Sequence, residues 1–375
     1  MSALPAKSSS AIHKKRLPEI DLFRAFAILY MGITHGVFHM PKAPRWAVIL
    51  SSGGIFFCYI GFLLAFAMAQ AIIEEHGSLR RPGGRRRMMT QTWMILLGYY
   101  LIAFGGNLDM LTHHSWKTII RMALLQDVPK AGDFFLSFLI YILLILTIKP
   151  LMSWIIRRPL AAFMISIFLN LAGNFFAHIT APAAISGWWK IVFGAAYGAR
   201  TFPVLGYTPL FVIGVWIGWS YIKAPSHRNW AATVLPFSFS ALLLSSLLSW
   251  GIGLTVWKTA SSLQPIPGMI YIITAAASGI TLFCVVSLAS VDRDWPGVSP
   301  AGKFLNYVGR NAFWIIVWQY LWIGAGEEKL HLAKSLGTTA FLLTMMFLPP
   351  LFLSISQRLG KIVPYRNAPA IKDAV

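Results

Sequence analysis

Apolar runs of about 20 residues recur along the whole chain, and a helix needs a run of that length to cross a bilayer. The chain is 57% hydrophobic and only 12% charged, whereas a soluble domain carries roughly 25% charged residues. We therefore predict an all-α, polytopic integral membrane protein with about ten transmembrane helices. The predicted spans are 19–40, 48–73, 88–106, 133–151, 160–178, 204–222, 230–250, 266–290, 306–325 and 336–356.

The charge balance sets the predicted orientation. The 32 lysines and arginines outnumber the 12 aspartates and glutamates, a balance that indicates nucleic-acid binding in a soluble chain. Here most basic residues lie in short loops and tails on one side of the predicted spans. Because positive residues prefer the cytoplasmic side, we predict cytoplasmic termini and no nucleic-acid partner. The chain divides into a basic tail at 1–18, a transmembrane domain at 19–356 and a basic tail at 357–375.

The positions of the cysteines and histidines do not indicate a metal site or a disulfide framework. Cys58 and Cys284 both fall in apolar runs, which argues against a disulfide framework or a zinc site. His113 and His114 are adjacent, so on a helix they would diverge by about 100° and form a poor metal pair. We expect no metal and no permanently bound cofactor. The longer outer segments, 107–132 and 179–203, are the places to meet an external substrate, and the second has room for a short or re-entrant helix.

One face of the first predicted helix carries three ionisable side chains. Charged groups inside a bilayer-spanning helix are costly and rarely occur without a partner or a function. Asp21 and Arg24 are spaced i, i+3 and can form a pair. His35 follows Arg24 by eleven residues, which returns the helix to nearly the same face about 16 Å farther along. The pattern indicates a lined pathway through the membrane.

Several motifs resemble those of acyltransferase family 3. The first helix has the family's Asp-x-x-Arg stretch and its Arg-x10-His spacing, from Asp21 through Arg24 to His35. The second helix begins GGIFFCYIGFL at 53–63, close to the family's Phe-Phe-x-x-Ser-Gly-Phe-Leu pattern, with Ile60 in place of the serine. A basic run before the third helix, RRRMMTQTW at 85–93, is also typical, although the literal Arg-x-x-Arg spacing is absent.

The later part of the chain departs from that family. Its fourth-helix Trp-Ser-Leu-x-x-Glu-Glu pattern is missing. The segment LLQDVPKAGDFFLSFLIY at 124–141 is instead similar to the related periplasmic-glucan succinyltransferases. The segment GRNAFWIIVWQYLW at 309–322 resembles the family's late Gly-x-x-Ser-Tyr element only loosely. The chain is thus identified as a member of the wider clan, and the match is good over 16–105.

The resemblance implies an activity. Such proteins take an acyl group, acetyl or succinyl, from acyl-CoA in the cytosol and pass it to a hydroxyl of a sugar or glycan outside. It also implies a multi-pass protein of the bacterial inner membrane. The expected partners are therefore acyl-CoA, a glycan or other hydroxyl acceptor, and membrane lipids.

The residues themselves provide suitable chemistry. His35 can act as the base for the acceptor hydroxyl, or as a nucleophile that carries the acyl group. Either route builds a negative oxygen that needs hydrogen-bond donors. The candidate donors are Arg24, Asn311, Gln319 and Tyr320. Asp127 and Asp133 lie at the predicted outer mouth as acceptor contacts or helix caps. Arg24 has an alternative role as the anchor of Asp21.

The cytoplasmic loop before the third helix is a candidate site for CoA phosphates. Guanidinium groups bind phosphates bidentately, and Gly83 and Gly84 allow the loop to wrap around a ligand. The arginines concerned are Arg80, Arg81, Arg85, Arg86 and Arg87. The same cluster also fits a role in topology or in contact with anionic lipids.

Two other functions remain open. A secondary transporter would also use intramembrane ionisable residues and broken backbone, such as the Gly/Pro-rich stretch 201–209. However, no inverted repeat is visible, and the polar residues concentrate in one helix. A non-catalytic scaffold would leave the Asp21, Arg24 and His35 face without a purpose. We favour the acyltransferase interpretation.

Overall fold

The computed structural model describes 17–38, 40, 43–77, 82–105, 116–126, 128, 132–148, 150–179, 185–194, 202–251, 268–290, 298–330 and 337–362. In this part of the chain the secondary structure is helical. The helices are α1 (Pro18–Phe38), α2 (Arg45–Glu75), α3 (Pro82–Gly105), α4 (Trp116–Ala123), α5 (Gly132–Thr147), α6 (Leu151–Arg157), α7 (Pro159–Ala177), α8 (Ser186–Val192), α9 (Val204–Lys223), α10 (His227–Gly251), α11 (Met269–Ser290), α12 (Pro300–Arg310), α13 (Ala312–Leu330) and α14 (Thr338–Ile362).

Seven helices among the described residues are long and apolar enough to cross a membrane, and an eighth span arises if α5 and α6 count as one. The axes of α5 and α6 differ by 89°, with Pro150 between them, which cannot continue a helix. The prediction of an all-helical, multi-pass chain is therefore confirmed, but the figure of ten spans is not. The predicted span 88–106 is not among the candidate spans, because the first half of α3 is too polar. The predicted span 306–325 is divided at Asn311, which leaves an apolar stretch, Ala312–Ile323, shorter than a full span.

Helix α1 lies at the centre of the bundle. In its most apolar window 72% of the residues are buried, against 17% in α10 and 28% in α7. It packs against α2, α11, α12, α13 and α14. Pro18 starts the helix, and two acidic residues, Glu19 and Asp21, occupy its first turn, where the helix dipole favours negative charge. The helix with the predicted ionisable face is thus surrounded by protein.

Pairs of glycines spaced by four residues allow the central helices to approach closely. A Cβ at Gly32 would lie 2.9 Å from the carbonyl oxygen of Met345, so α14 crosses α1 at the Gly32 and Gly36 surface. A Cβ at Gly218 would lie 2.6 Å from Cα of Met68, and Gly214 contacts α2 similarly. Small residues at this spacing are a common means of packing helices in membranes.

The two ends of the bundle are held by different contacts. We call them the Asp21 end and the His35 end, after the residues of α1 that they contain. At the Asp21 end, Glu75 of α2 pairs with Lys223 of α9. At the His35 end, the hydroxyl of Tyr99 donates to the Met122 carbonyl at 3.2 Å, which ties the segment around α4 to α3.

The predicted outer segments meet at the His35 end. The expected short helix in 179–203 is present as α8, and Gly187 in it donates its N–H to the Gln126 carbonyl at 3.1 Å. A Cβ at Gly187 would lie 2.5 Å from the carbonyl oxygen of Leu125, so a larger residue has no room there. Helix α14 continues to Ile362, beyond the predicted domain end at 356.

Candidate functional site

The predicted pair at the start of α1 is present. Asp21 is 2% exposed, and its Oδ1 lies 3.6 Å from Nη1 of Arg24. Nη2 of Arg24 donates to the carbonyl oxygen of Ala65 on α2 at 3.4 Å. Arg24 is therefore held between α1 and α2, with its side chain 24% exposed. The i, i+3 spacing predicted this contact correctly.

A second arginine joins the same carboxylate. Nε of Arg310 lies 3.8 Å from Oδ2 of Asp21, and the Arg310 side chain is 57% exposed. The contact is possible because Gly309 precedes it: a Cβ there would lie 1.8 Å from the Asp21 carbonyl oxygen. Ser299 caps α12 by accepting the Gly302 N–H at 3.0 Å, which starts the helix that brings Gly309 to α1. Local spacing gave no signal for this role of Arg310.

The predicted catalytic histidine lies against Tyr320 of α13. The Tyr320 hydroxyl is 3.4 Å from Nε2 of His35, and the two ring centroids are 5.0 Å apart at an interplanar angle of 45°. When Nε2 carries no proton, it accepts the hydrogen bond from the phenol. The structure therefore brings together two residues that the sequence placed in the same site.

Gln319 lies between the two ends of α1. It is fully buried, and its side-chain N–H donates to the carbonyl oxygen of Ile28 at 3.2 Å. Ile28 is about 6 Å beyond Arg24 along the helix and about 10 Å before His35. Among the described residues, Oε1 of Gln319 has no hydrogen-bond partner. The site thus contains a buried, unsatisfied acceptor midway along the predicted pathway.

Asp133 lies in the wall of the His35 end. Its Oδ1 accepts the Phe134 N–H at 2.9 Å, and its Oδ2 accepts the Phe202 N–H at 3.1 Å. Asp133 is only 5% exposed. Asp133 therefore caps α5 and holds the segment before α9, which is the alternative that the sequence left open. Contact with an acceptor stays a prediction.

Aromatic rings surround this carboxylate. Tyr59 stacks on Phe202 with centroids 4.2 Å apart and meets Tyr207 at 4.6 Å. Phe134 contacts Tyr59 edge-on at 5.5 Å. We call Tyr59, Phe134, Phe202 and Tyr207 the aromatic wall. Sequence reasoning missed it, because the four rings come from three separate parts of the chain.

Asn311 lies away from His35. Its side-chain N–H donates to the Tyr307 carbonyl at 2.9 Å, and its Oδ1 accepts from Gln357 at 3.1 Å. Nine residues of helix separate it from Tyr320, or about 13 Å. We expected Asn311 as a hydrogen-bond donor beside His35, and the structure instead places it at the Asp21 end. It interrupts the predicted span there, since an asparagine side chain competes for backbone hydrogen bonds.

The basic run lies at the start of α3. Arg85, Arg86 and Arg87 lie in the first turns of α3 and are exposed. Three other predicted site residues lie outside the described residues: Arg80 and Arg81 before α3, and Asp127 before α5. Helices α3 and α13 run side by side in the same direction, because Gly98 meets Phe313 and Gly105 meets Leu321. The exposed arginines are therefore at the Asp21 end.

Comparison with known proteins adds no family. No family model matches the chain, and no curated protein is similar to it at a significant level.

Proposed function

We propose that this chain is an integral membrane O-acyltransferase of the bacterial inner membrane. It would transfer an acetyl or succinyl group from cytosolic acyl-CoA to a hydroxyl of an extracytoplasmic carbohydrate or glycan. The observation that carries the proposal is the contact of His35 with Tyr320 of α13. His35 lies on the same central helix, α1, as the buried Asp21 and the partly exposed Arg24. A base at one end and guanidinium groups at the other suit a donor that reaches through the membrane.

The orientation follows from charge. The Asp21 end carries most of the basic residues, so it is cytoplasmic under the positive-inside rule. His35 then lies in the outer half of the bilayer. With α3 and α13 inserted alongside the seven or eight candidate spans, the chain would cross the membrane about ten times and keep both termini inside.

The reaction needs a base and a stabilised oxyanion. The imidazole of His35 takes the proton of the acceptor hydroxyl, and the hydroxyl oxygen attacks the thioester carbonyl carbon. The tetrahedral intermediate collapses with loss of the C–S bond, and the imidazolium returns the proton to the CoA thiolate. An alternative route forms an acyl-imidazole on His35 first and releases CoA before the acceptor attacks.

The surroundings of His35 suit a sugar. Aromatic rings bury large apolar area and offer polar hydroxyls, and the aromatic wall with Asp133 lies at the same end of the bundle as His35. The exposed arginines of α3 are suited to bind the phosphates of the nucleotide. No cofactor is held permanently: acyl-CoA is a substrate that leaves as CoA.

The test is acyl transfer by the purified protein in lipid nanodiscs. Radiolabelled acetyl-CoA or succinyl-CoA is supplied with a crude surface-glycan fraction, and His35→Ala runs in parallel. We expect label in the glycan from one donor with the wild type alone. Slow hydrolysis of one thioester, abolished in His35→Ala, would keep the enzyme class with another acceptor. Equal transfer by folded His35→Ala refutes the mechanism.

The same purified protein distinguishes a transporter from an acyltransferase. It would show neither transfer nor thioester hydrolysis, while flux of an anionic solute into proteoliposomes would depend on Asp21 and Arg24. The arginines of α3 would then be dispensable, whereas an acyl-CoA enzyme needs them for its donor.

A further inference from the structure

The basic residues at the Asp21 end form two groups at different depths. Arg24 and Arg310 share the buried carboxylate of Asp21. Gln357, the residue before Arg358 on α14, accepts a hydrogen bond from the Tyr307 hydroxyl at 3.3 Å, one turn before Arg310. We call Arg24, Arg310 and Arg358 the inner cluster. The exposed residues Arg85, Arg86 and Arg87 of α3 form the outer cluster.

Helix geometry gives the distance of each cluster from His35. Arg24 and His35 are eleven residues apart on α1, about 16 Å. For the outer cluster, Arg87 is eleven residues before Gly98, which meets Phe313. From Phe313 to Tyr320, beside His35, is seven more residues along the parallel helix α13. The outer cluster is therefore about 27 Å from His35 along the bundle.

The pantetheine arm of CoA decides between the two positions. It has about a dozen chain atoms between the diphosphate and the sulfur, comparable to four residues of extended backbone, and reaches roughly 15 Å. That length matches the separation of Arg24 and His35. A diphosphate held at the outer cluster would leave the thioester about 12 Å short of the imidazole.

We propose that the diphosphate of acyl-CoA binds at the inner cluster, with Arg310 as its principal contact. This inference rests on the proposed function and assigns its donor subsite. Arg310 meets Asp21 through Nε, and its side chain is 57% exposed, so the guanidinium group has donors left for a further anion. The outer cluster then holds the 3′-phosphate of the nucleotide, which extends away from the arm.

The charges of the inner cluster allow an anion. Glu19 and Asp21 carry two negative charges, both buried, against three positive charges on Arg24, Arg310 and Arg358. The surplus is on the exposed side chains. Arg binds a diphosphate bidentately through parallel N–H donors, which a lysine cannot reproduce.

Gln319 supports the same path. Its Oε1 lacks a partner among the described side chains and backbone groups, and the residue is fully buried. Leaving a buried acceptor unsatisfied costs about 1–3 kcal/mol. The pantetheine arm carries two amide N–H groups, and one of them would meet this oxygen between Arg24 and His35.

The experiment measures binding of CoA, dephospho-CoA and pantetheine to the protein in zwitterionic nanodiscs by calorimetry. Arg310→Gln should weaken CoA and dephospho-CoA by the same factor, roughly tenfold to a hundredfold, and leave pantetheine unchanged. The double variant Arg85→Gln, Arg86→Gln should weaken CoA and spare dephospho-CoA, which lacks the 3′-phosphate. Arg228→Gln is the matched control, because Arg228 is exposed at the start of α10, and should bind all three normally.

The possible outcomes test the diphosphate site and the proposed acyltransferase function separately. If the wild type binds CoA and Arg310→Gln binds it with the same affinity, the diphosphate site is overturned and the proposed function is not. The same measurement is repeated in discs that contain anionic lipid. An effect of Arg310→Gln that is seen only there makes the inner cluster a headgroup site and also overturns the diphosphate site. No CoA binding by the folded wild type removes the proposed donor as well. If Arg310→Gln fails to fold, Arg310→Lys decides: it keeps the charge beside Asp21 and should still weaken both nucleotides severalfold, and wild-type affinity there refutes the contact.

Discussion

The hydroxyl of Tyr320 offers a quantitative test of its role beside His35. Tyr320→Phe removes the hydroxyl and keeps the ring that packs against the imidazole. The O···N distance of 3.4 Å is long, and a neutral hydrogen bond is worth about 0.5–1.5 kcal/mol. Because 1.36 kcal/mol corresponds to tenfold in rate, we expect kcat to fall roughly twofold to thirteenfold.

That magnitude separates two roles. A tyrosine that donates to the oxyanion in the transition state would be worth about 10²–10³ in kcat. The geometry favours the smaller effect, because the hydroxyl contacts Nε2 of His35 and orients the ring, whichever of the two atoms donates. The assay is single-turnover release of CoA from the labelled donor, with acceptor present.

The matched control is Tyr141→Phe. Tyr141 is also buried, and its hydroxyl donates to the Val204 carbonyl at 2.8 Å, about two turns along α5 from Asp133. We expect a lower melting temperature and unchanged turnover. A fall above a hundredfold in Tyr320→Phe, or no fall at all, would refute the orienting role.

Three further predictions concern stability, measured by thermal unfolding in detergent. Gly218→Ala should destabilise by about 1–3 kcal/mol, because the added Cβ would overlap the backbone of α2. Gly83→Ala, whose Cβ meets nothing within 4 Å, should be neutral or stabilising; equal effects would contradict the packing argument. Asp133→Asn replaces one of two oxygens that accept backbone N–H groups, for a loss of about 1–3 kcal/mol; an unchanged melting temperature would remove its structural role. Asp21→Asn should cost about 1–2 kcal/mol, less than a fully buried pair, since both arginine partners are partly exposed; stabilisation would show that the carboxylate is a burden to the fold.

The sequence predicted the helical, multi-pass architecture well because hydropathy and length decide it locally. Asp21 and Arg24 were predicted correctly for the same reason: a spacing of three residues brings them together wherever the helix lies. The division of the predicted span 306–325 at Asn311 was missed. A hydropathy window averages over one polar residue, whereas a side chain that bonds its own preceding turn alters the helix at that point.

Contacts between distant segments were beyond sequence reasoning. Arg310 reaches Asp21 only because Gly309 lets the backbones of α12 and α1 touch. No sequence pattern near Arg310 predicts this contact. Tyr320 was expected near His35 on a loose resemblance, and its position depends on how α13 lies against α1. Asp133 was expected as an acceptor contact or a helix cap. The capping role is seen, but one of its two partners, the Phe202 N–H, is brought to it only by the fold.

The packing of α1 against α12, α13 and α14 also has a consequence for synthesis. Gln319 donates a hydrogen bond to the carbonyl oxygen of Ile28, and the two residues are 291 positions apart in the chain. At about 5–20 residues per second, the ribosome needs roughly 15–60 s to make that interval. During this time the carboxylate of Asp21 lacks Arg310, and the Gly32 surface lacks α14. A nascent chain of this kind must hold α1, the least apolar of its seven candidate spans, in the membrane or at the translocon until the last helices are made.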